Sequence, residues 1–206
     1  MKVFDLTHPI KNDWPVYFPW HPPTTIEQTA TYADNLCVVR KLSIGTHSGT
    51  HIDAPSHVFE GGATLDKYSP SLWFIDAQVL NFTPRKAALE ITADEFRRMN
   101  IREGIGVIVK TGWDIHFGSL DYYKTYPPIT NEAAEYLVSK GIKILAADTP
   151  FKLDVHYTML SKGIPLVTNL NNMKELPPGI VKLIAAPLLI ADGDGAPARV
   201  LVVVED

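Results

Sequence analysis

A chain of 206 residues, 46% apolar and 20% charged, has the make-up of a soluble globular protein, and its length fits one domain over residues 1–206. A formal net charge of −4 with no basic cluster gives no ground for nucleic acid or an anionic membrane as partner. The lone cysteine, Cys37, excludes an intrachain disulfide, and no apolar run reaches the ~20 residues that span a bilayer; with no signal-peptide stretch at the start, a cytoplasmic location is expected.

Residues 3–7 are expected to form a short strand. Residues 9–23 gather Trp14, Pro15, Tyr17, Phe18, Pro19, Trp20, Pro22 and Pro23, which predicts an irregular arm. His8 and His21 flank that arm and are expected at the surface. Residues 36–44 alternate, with Leu36, Val38, Leu42 and Ile44 on one side. They predict a strand that delivers the chain into the next segment, with Cys37 as a small buried side chain.

That next segment is the most informative in the chain: His47-Ser48-Gly49-Thr50-His51-Ile52-Asp53-Ala54-Pro55-Ser56-His57. Imidazole and carboxylate are the usual ligands of a catalytic zinc or manganese ion. All four candidate groups are odd-numbered, so an extended chain points them to one side. Fully extended, the segment would span roughly 33 Å at about 3.3 Å per residue, too long for one ion. Gly49 and Pro55 supply the necessary bends. A strand end turning into a loop fits best, with His51 and Asp53 as an i, i+2 pair aimed at one cation.

Residues 73–80 are a further strand. Thr92-Ala93-Asp94-Glu95 is a capping box that starts a helix to about Met99. Residues 106–111, apolar through Val109, are expected to form a strand buried on both faces. His116, beyond Thr111-Gly112-Trp113-Asp114, is read as outside the site, with a reach from the strand end as the lesser alternative. Thr130 caps a helix through Lys140, with Ala133, Ala134, Leu137 and Val138 as its buried stripe and Gly141 as its stop. Residues 142–147 form a buried strand ending at Asp148, for which a turn and a site role both stand open. Asp154 is expected to cap a short helix that carries His156 and Leu160. Residues 165–167, 181–186 and 199–204 are strands. Asp192-Gly193-Asp194-Gly195 lacks the twelve-residue calcium-loop pattern and reads as a turn. Strands interleaved with helices suggest a mixed α/β domain, and pattern alone does not fix its topology.

The eleven-residue segment matches, at every fixed position, the His-x-Gly-Thr-His-x-Asp-x-Pro-x-His signature of the cyclase-like metal-dependent hydrolases, a family that includes bacterial kynurenine formamidase and isatin hydrolase. Phe4-Asp5-Leu6-Thr7, Thr111-Gly112-Trp113, Asp148-Thr149-Pro150, Gly163-Ile164-Pro165, Asn169-Leu170 and Asp194-Gly195-Ala196-Pro197-Ala198-Arg199 resemble other family segments in the expected order. The resemblance implies a swivelling β/β/α fold, with the site between a barrel-like mixed sheet and flanking helices. It also implies a homo-oligomer, a dimer or tetramer. The arm then becomes a candidate lid or subunit contact, with Phe18 and Trp20 as candidate substrate-binding residues.

One position departs from the family. The resemblance places a metal-ligating Glu where this chain has Thr168. Two divalent ions beside one carboxylate would lack charge compensation. About one ion per chain, zinc or manganese, is therefore expected, centred on His51 and Asp53, with His47 and His156 as further ligands or supporting groups. His57 is the expected catalytic proton carrier. The implied reaction is metal-assisted hydrolysis of a small amide, as in kynurenine formamidase. The alternatives are hydrolysis of a cyclic imide, lactam or ester, and a catalytically silent binding protein, the reading that Thr168 favours. No organic cofactor is implied.

Overall fold

In the computed structural model, which describes residues 1–12, 14 and 18–205, the strands are β1 (Lys2–Asp5), β2 (Thr25–Ala30), β3 (Val39–Ser43), β4 (His51–Asp53), β5 (Phe74–Asn81), β6 (Gly106–Lys110), β7 (Leu145–Ala147), β8 (Leu166–Thr168), β9 (Gly179–Pro187) and β10 (Gly195–Val204). The α-helices are α1 (Tyr32–Asn35), α2 (Ala93–Arg97), α3 (Leu120–Lys124), α4 (Asn131–Ser139) and α5 (Leu153–Leu160).

Seven strands close into a ring in the order β10-β4-β8-β7-β6-β5-β9, and β9 returns to β10. Strands β5 to β8 run parallel to one another; the other ring pairings are antiparallel. β1 adds to β10 outside the ring, with Lys2 opposite Val204. This is the mixed, barrel-like sheet with helices that the family resemblance implies.

The sequence explains why the sheet has two covered faces. Along β6, Ile108 packs into one apolar cluster with Ile52, Val79, Ala146, Val167, Leu183 and Val200, one or more from every strand of the ring. Its neighbours Val107 and Val109 belong to a second cluster with Phe96, Leu137 and Val155 on α2, α4 and α5. Side chains alternate along a strand, so burial on both faces requires the unbroken apolar run seen at residues 106–109.

The helices begin and end much as their caps dictate. Thr130 accepts a hydrogen bond from the Ala133 amide at the start of α4, Lys140 caps its end, and Gly141 follows at φ 63°. The Thr92 amide donates to Glu95 Oε2 at 3.0 Å, the reciprocal bond of a capping box. α5 differs from expectation. Its N-cap position is Lys152, and Asp154 lies inside the first turn, where its charge still complements the helix dipole.

Two further expectations are overturned. The strand expected within residues 36–44 does form as β3 and leads into the histidine segment, but outside the ring. β3 pairs with β2 as a separate two-stranded ribbon, and every residue of β3 is exposed. Cys37, at the start of that excursion, is exposed rather than buried. His8, expected at the surface, is buried and stacks on Phe117 with ring centroids 3.8 Å apart. Alternation and isolated histidines report only an amphipathic or polar local choice; the rest of the chain decides what covers it. The arm has no helix or strand at residues 9–12, 14 and 18–23, while Asp13, Pro15, Val16 and Tyr17 lie outside the described residues.

Candidate metal centre

β4 is only three residues long, yet it places the site. Ile52 points into the ring, so His51 and Asp53 point out of it. β4 lies between β8 and β10, with Thr168 and Pro197 beside His51 and Gly195 beside Asp53. Pro55–His57 then forms a 3-10 turn with proline in its first positions, which carries His57 back over the strand. His156 arrives from the first half of α5.

These groups meet around one buried carboxylate. Asp53 Oδ1 lies 2.7 Å from His47 Nδ1 and 3.3 Å from His51 Nε2, and Asp53 Oδ2 lies 3.3 Å from His156 Nε2. The Nδ1 atoms of His51 and His156 are each held by a backbone carbonyl, Gly49 at 2.8 Å and Lys152 at 2.9 Å. A carbonyl can only accept, so each Nδ1 carries the proton and each neutral ring turns a bare Nε2 towards Asp53. Asp53 Oδ2 is buried without a hydrogen-bond donor: its 3.3 Å approach to His156 is not a formed hydrogen bond. Lone pairs facing a buried carboxylate repel it unless a cation lies among them. The donor set therefore fits a divalent metal, and His47, His51 and Asp53 have ligand atoms close enough to share one.

Charge follows the same geometry. Without an ion, burial would push the Asp53 carboxyl up, and only positive charge on the surrounding His51, His156 and His47 outweighs it and holds it well below the usual carboxylate range; a divalent cation would do the same with the rings neutral. Burial would lower His47, yet Asp194 Oδ2 at 2.8 Å from Nε2, with Asp53 on the other nitrogen, lifts it to about 9. His57 is pushed down to about 4, first by burial and then by the charge of His47, whose ring centroid is 3.8 Å away. It is therefore a neutral imidazole at neutral pH.

A cavity of about 890 Å³ opens onto these groups. Its walls include Trp14, Phe18, Trp20, Phe59, Phe151 and Tyr157, with His47, His51, Asp53, His57 and His156 at the polar end. Phe18 and Trp20 stack at 4.8 Å, and Trp20 remains mostly exposed at the rim. His21, expected at the surface, is half-buried and lines the cavity. Thr168 also lines it; its hydroxyl is turned to the Thr149 carbonyl at 3.2 Å and the Asn169 side chain at 3.1 Å.

The structure also separates bystanders from participants. Asp148 is a structural acceptor: its carboxylate takes bonds from the amides of Thr111, Gly112 and Trp113 and from the Thr111 hydroxyl. Burial raises it to about 6 despite those donors. His116 is exposed against Trp113 and does not line the cavity. Asp194, read from sequence as part of a turn, is instead a site residue. Only its place in the family's Asp-Gly-Ala-Pro-Ala-Arg segment could have signalled it.

Residues 4–153 match the family described as "Putative cyclase". The chain belongs to that family. Similar proteins include the kynurenine formamidase of Bacillus thuringiensis (strain Al Hakam), 24% identical over 96% of this chain and 95% of that protein. Among solved structures, isatin hydrolase A from Ralstonia solanacearum superposes with a TM-score of 0.86 at 26% identity, covering 99% of this chain and 92% of that one. A structure described as a potential metal-dependent hydrolase with cyclase activity gives 0.79 at 30% identity, covering 98% and 96%. By family and site together, the chain is a hydrolase of the cyclase family with a histidine–carboxylate centre suited to a divalent metal.

Proposed function

We propose that this hydrolase cleaves the C–N bond of a small aryl amide, with one zinc or manganese ion per chain held by His47, His51 and Asp53 and with His156 facing the other oxygen of that carboxylate. The observation that carries the reading is the buried Asp53 carboxylate faced by the bare nitrogens of His51 and His156 at the end of an aromatic-walled cavity. A divalent ion there would supply Lewis-acid polarisation of a carbonyl and an acidified water.

The chain's own groups account for the rest. Trp14, Phe18, Trp20 and Phe59 offer flat apolar faces to an aryl group and displace water around it. His57 is neutral, so it can take a proton from the attacking water and hand it to the leaving nitrogen as the C–N bond breaks. The net change is amide plus water to carboxylic acid plus amine. The kynurenine formamidase relatives support an N-formyl arylamine as substrate. A second reading, ring-opening of a cyclic imide or lactam, is favoured by the superposition on isatin hydrolases.

We also propose the cytoplasm as location, in keeping with the single cysteine, and further copies of this chain as partners. The β2–β3 ribbon and the segment that connects its strands expose Leu36, Val38, Val39 and Leu42, the kind of apolar surface that marks subunit contacts. No helix among the described residues is long and apolar enough to cross a membrane.

The test is metal analysis of protein purified without chelator, beside His51→Ala, followed by an absorbance assay on N-formylkynurenine and on isatin. About one ion per chain, lost in the variant, with turnover of either compound, bears the proposal out. A chain that takes up no ion even after reconstitution would make it a silent binding protein.

A further inference from the structure

The three histidines around Asp53 are not held alike. His51 and His156 direct Nε2 inward and anchor Nδ1 on neutral backbone carbonyls. His47 is reversed: Nδ1 faces Asp53 Oδ1 at 2.7 Å, and Nε2 meets Asp194 Oδ2 at 2.8 Å. It alone has a carboxylate as its outer anchor.

Several features of the chain build that contact. Ala54, next to Asp53, donates its amide to the Asp194 carbonyl at 2.9 Å, which ties the Asp194 turn to the histidine segment. A Cβ on Gly195 would stand 2.5 Å from His47 Cε1 and 2.9 Å from the Ile52 carbonyl oxygen. Only glycine lets the imidazole lie against the start of β10. His57 Nδ1 is 3.8 Å from the same carboxylate oxygen, beyond hydrogen-bonding reach, so Asp194 is committed to His47.

We infer that Asp194 is a positioning residue, which keeps the proton of His47 on Nε2 so that Nδ1 is the nitrogen presented to the cation shared with Asp53. A neutral imidazole has one N–H, and the acceptor that takes it decides which nitrogen is free. A carboxylate acceptor also makes the free nitrogen more basic than a carbonyl acceptor does. The inference rests on the metal-centre reading proposed above.

The experiment uses cobalt(II) on the metal-free full chain, with affinity measured by competition against a chromogenic chelator and coordination by the visible cobalt spectrum. Asp194→Ala should weaken binding about 10- to 100-fold with the parent's band positions, because the ligand set is unchanged. Asp194→Asn should lose less, since its amide oxygen still accepts the Nε2 proton. Asp192→Ala, in the same turn, should bind like the parent. Parent-like affinity in Asp194→Ala overturns the inference. So does weakened binding with shifted cobalt bands, which would make Asp194 a ligand itself with His47 and His57. If the parent binds no cobalt, the metal-centre reading fails and this inference with it.

Discussion

Replacing Gly62 by alanine tests whether the turn that carries His57 is held by backbone contact. A Cβ at this position would lie 2.7 Å from the Pro55 carbonyl carbon and the Ser56 nitrogen, and 2.8 Å from the Pro55 oxygen. All three are main-chain atoms, so no side chain can swing aside. The turn cannot slide away freely either, because the Ser56 amide is bonded to the Ala63 carbonyl at 3.1 Å and the Gly62 amide to Phe59 at 3.0 Å. One strand of backbone must retreat by about 0.7 Å to regain ordinary contact. Such overpacking costs about 1–3 kcal/mol. In a chain of this size that is a fall of about 2–12 °C in Tm. His57 follows Ser56, and its ring rests 3.8 Å from that of His47. Displacements of this order cost turnover about 10- to 100-fold. Gly61→Ala is the matched control. Nothing lies within 4 Å of its Cβ, but φ is +70°, so it should lose about 1–2 kcal/mol through backbone strain and keep its turnover. The assays are thermal melting by circular dichroism, metal content and turnover on the best substrate. A Gly62→Ala chain with parental Tm and parental turnover would refute the reasoning.

His57→Ala should keep the parent's metal content while turnover falls about 10²- to 10⁴-fold; loss of the ion would reassign His57 as a ligand. Thr168→Glu places a carboxylate next to His51 in the sheet register and on the cavity wall, and should raise metal content from about one ion towards about two per chain by elemental analysis. Unchanged stoichiometry would show that Thr168 is not what limits the number of ions. Without metal, stability should peak near pH 6.5 in melts across pH 4–9. His47, raised to about 9, stabilises fully below its unfolded value of 6.5, and that contribution is lost as pH rises through about 9. His8 and His57, both lowered to about 4 chiefly by burial, destabilise as pH falls from 6.5 through about 4. A Tm that rises steadily to pH 9 would contradict the His47–Asp194 pairing.

The metal centre was legible where its chemistry is local. His47, His51, Asp53 and His57 fall within eleven residues, and the short-range bends at Gly49 and Pro55 suffice to gather them. α4 was legible because Thr130 and Gly141 mark its ends and Ala133, Ala134 and Leu137 its buried face. The 36–44 segment was legible as a strand, but Cys37 was misplaced because alternation shows that a strand has two unlike faces, not that either face is covered within this chain. Asp194 was invisible as a site residue because its relation to His47 depends on β10 lying beside β4, a pairing across more than a hundred residues that periodicity does not encode. The ring closure by β9 and β10 was hidden for the same reason.

β10 touches β1, β4 and β9 at once, joining Lys2 to Val204 and Asp53 to Gly195. Those contacts close very long loops of chain, which is slow to search and lowers folding rate more than final stability. During synthesis, the parallel strands and their helices can assemble while β4 still lacks its β10 neighbour and His47 still lacks Asp194. The polar end of the cavity therefore cannot be complete until β10 is in place.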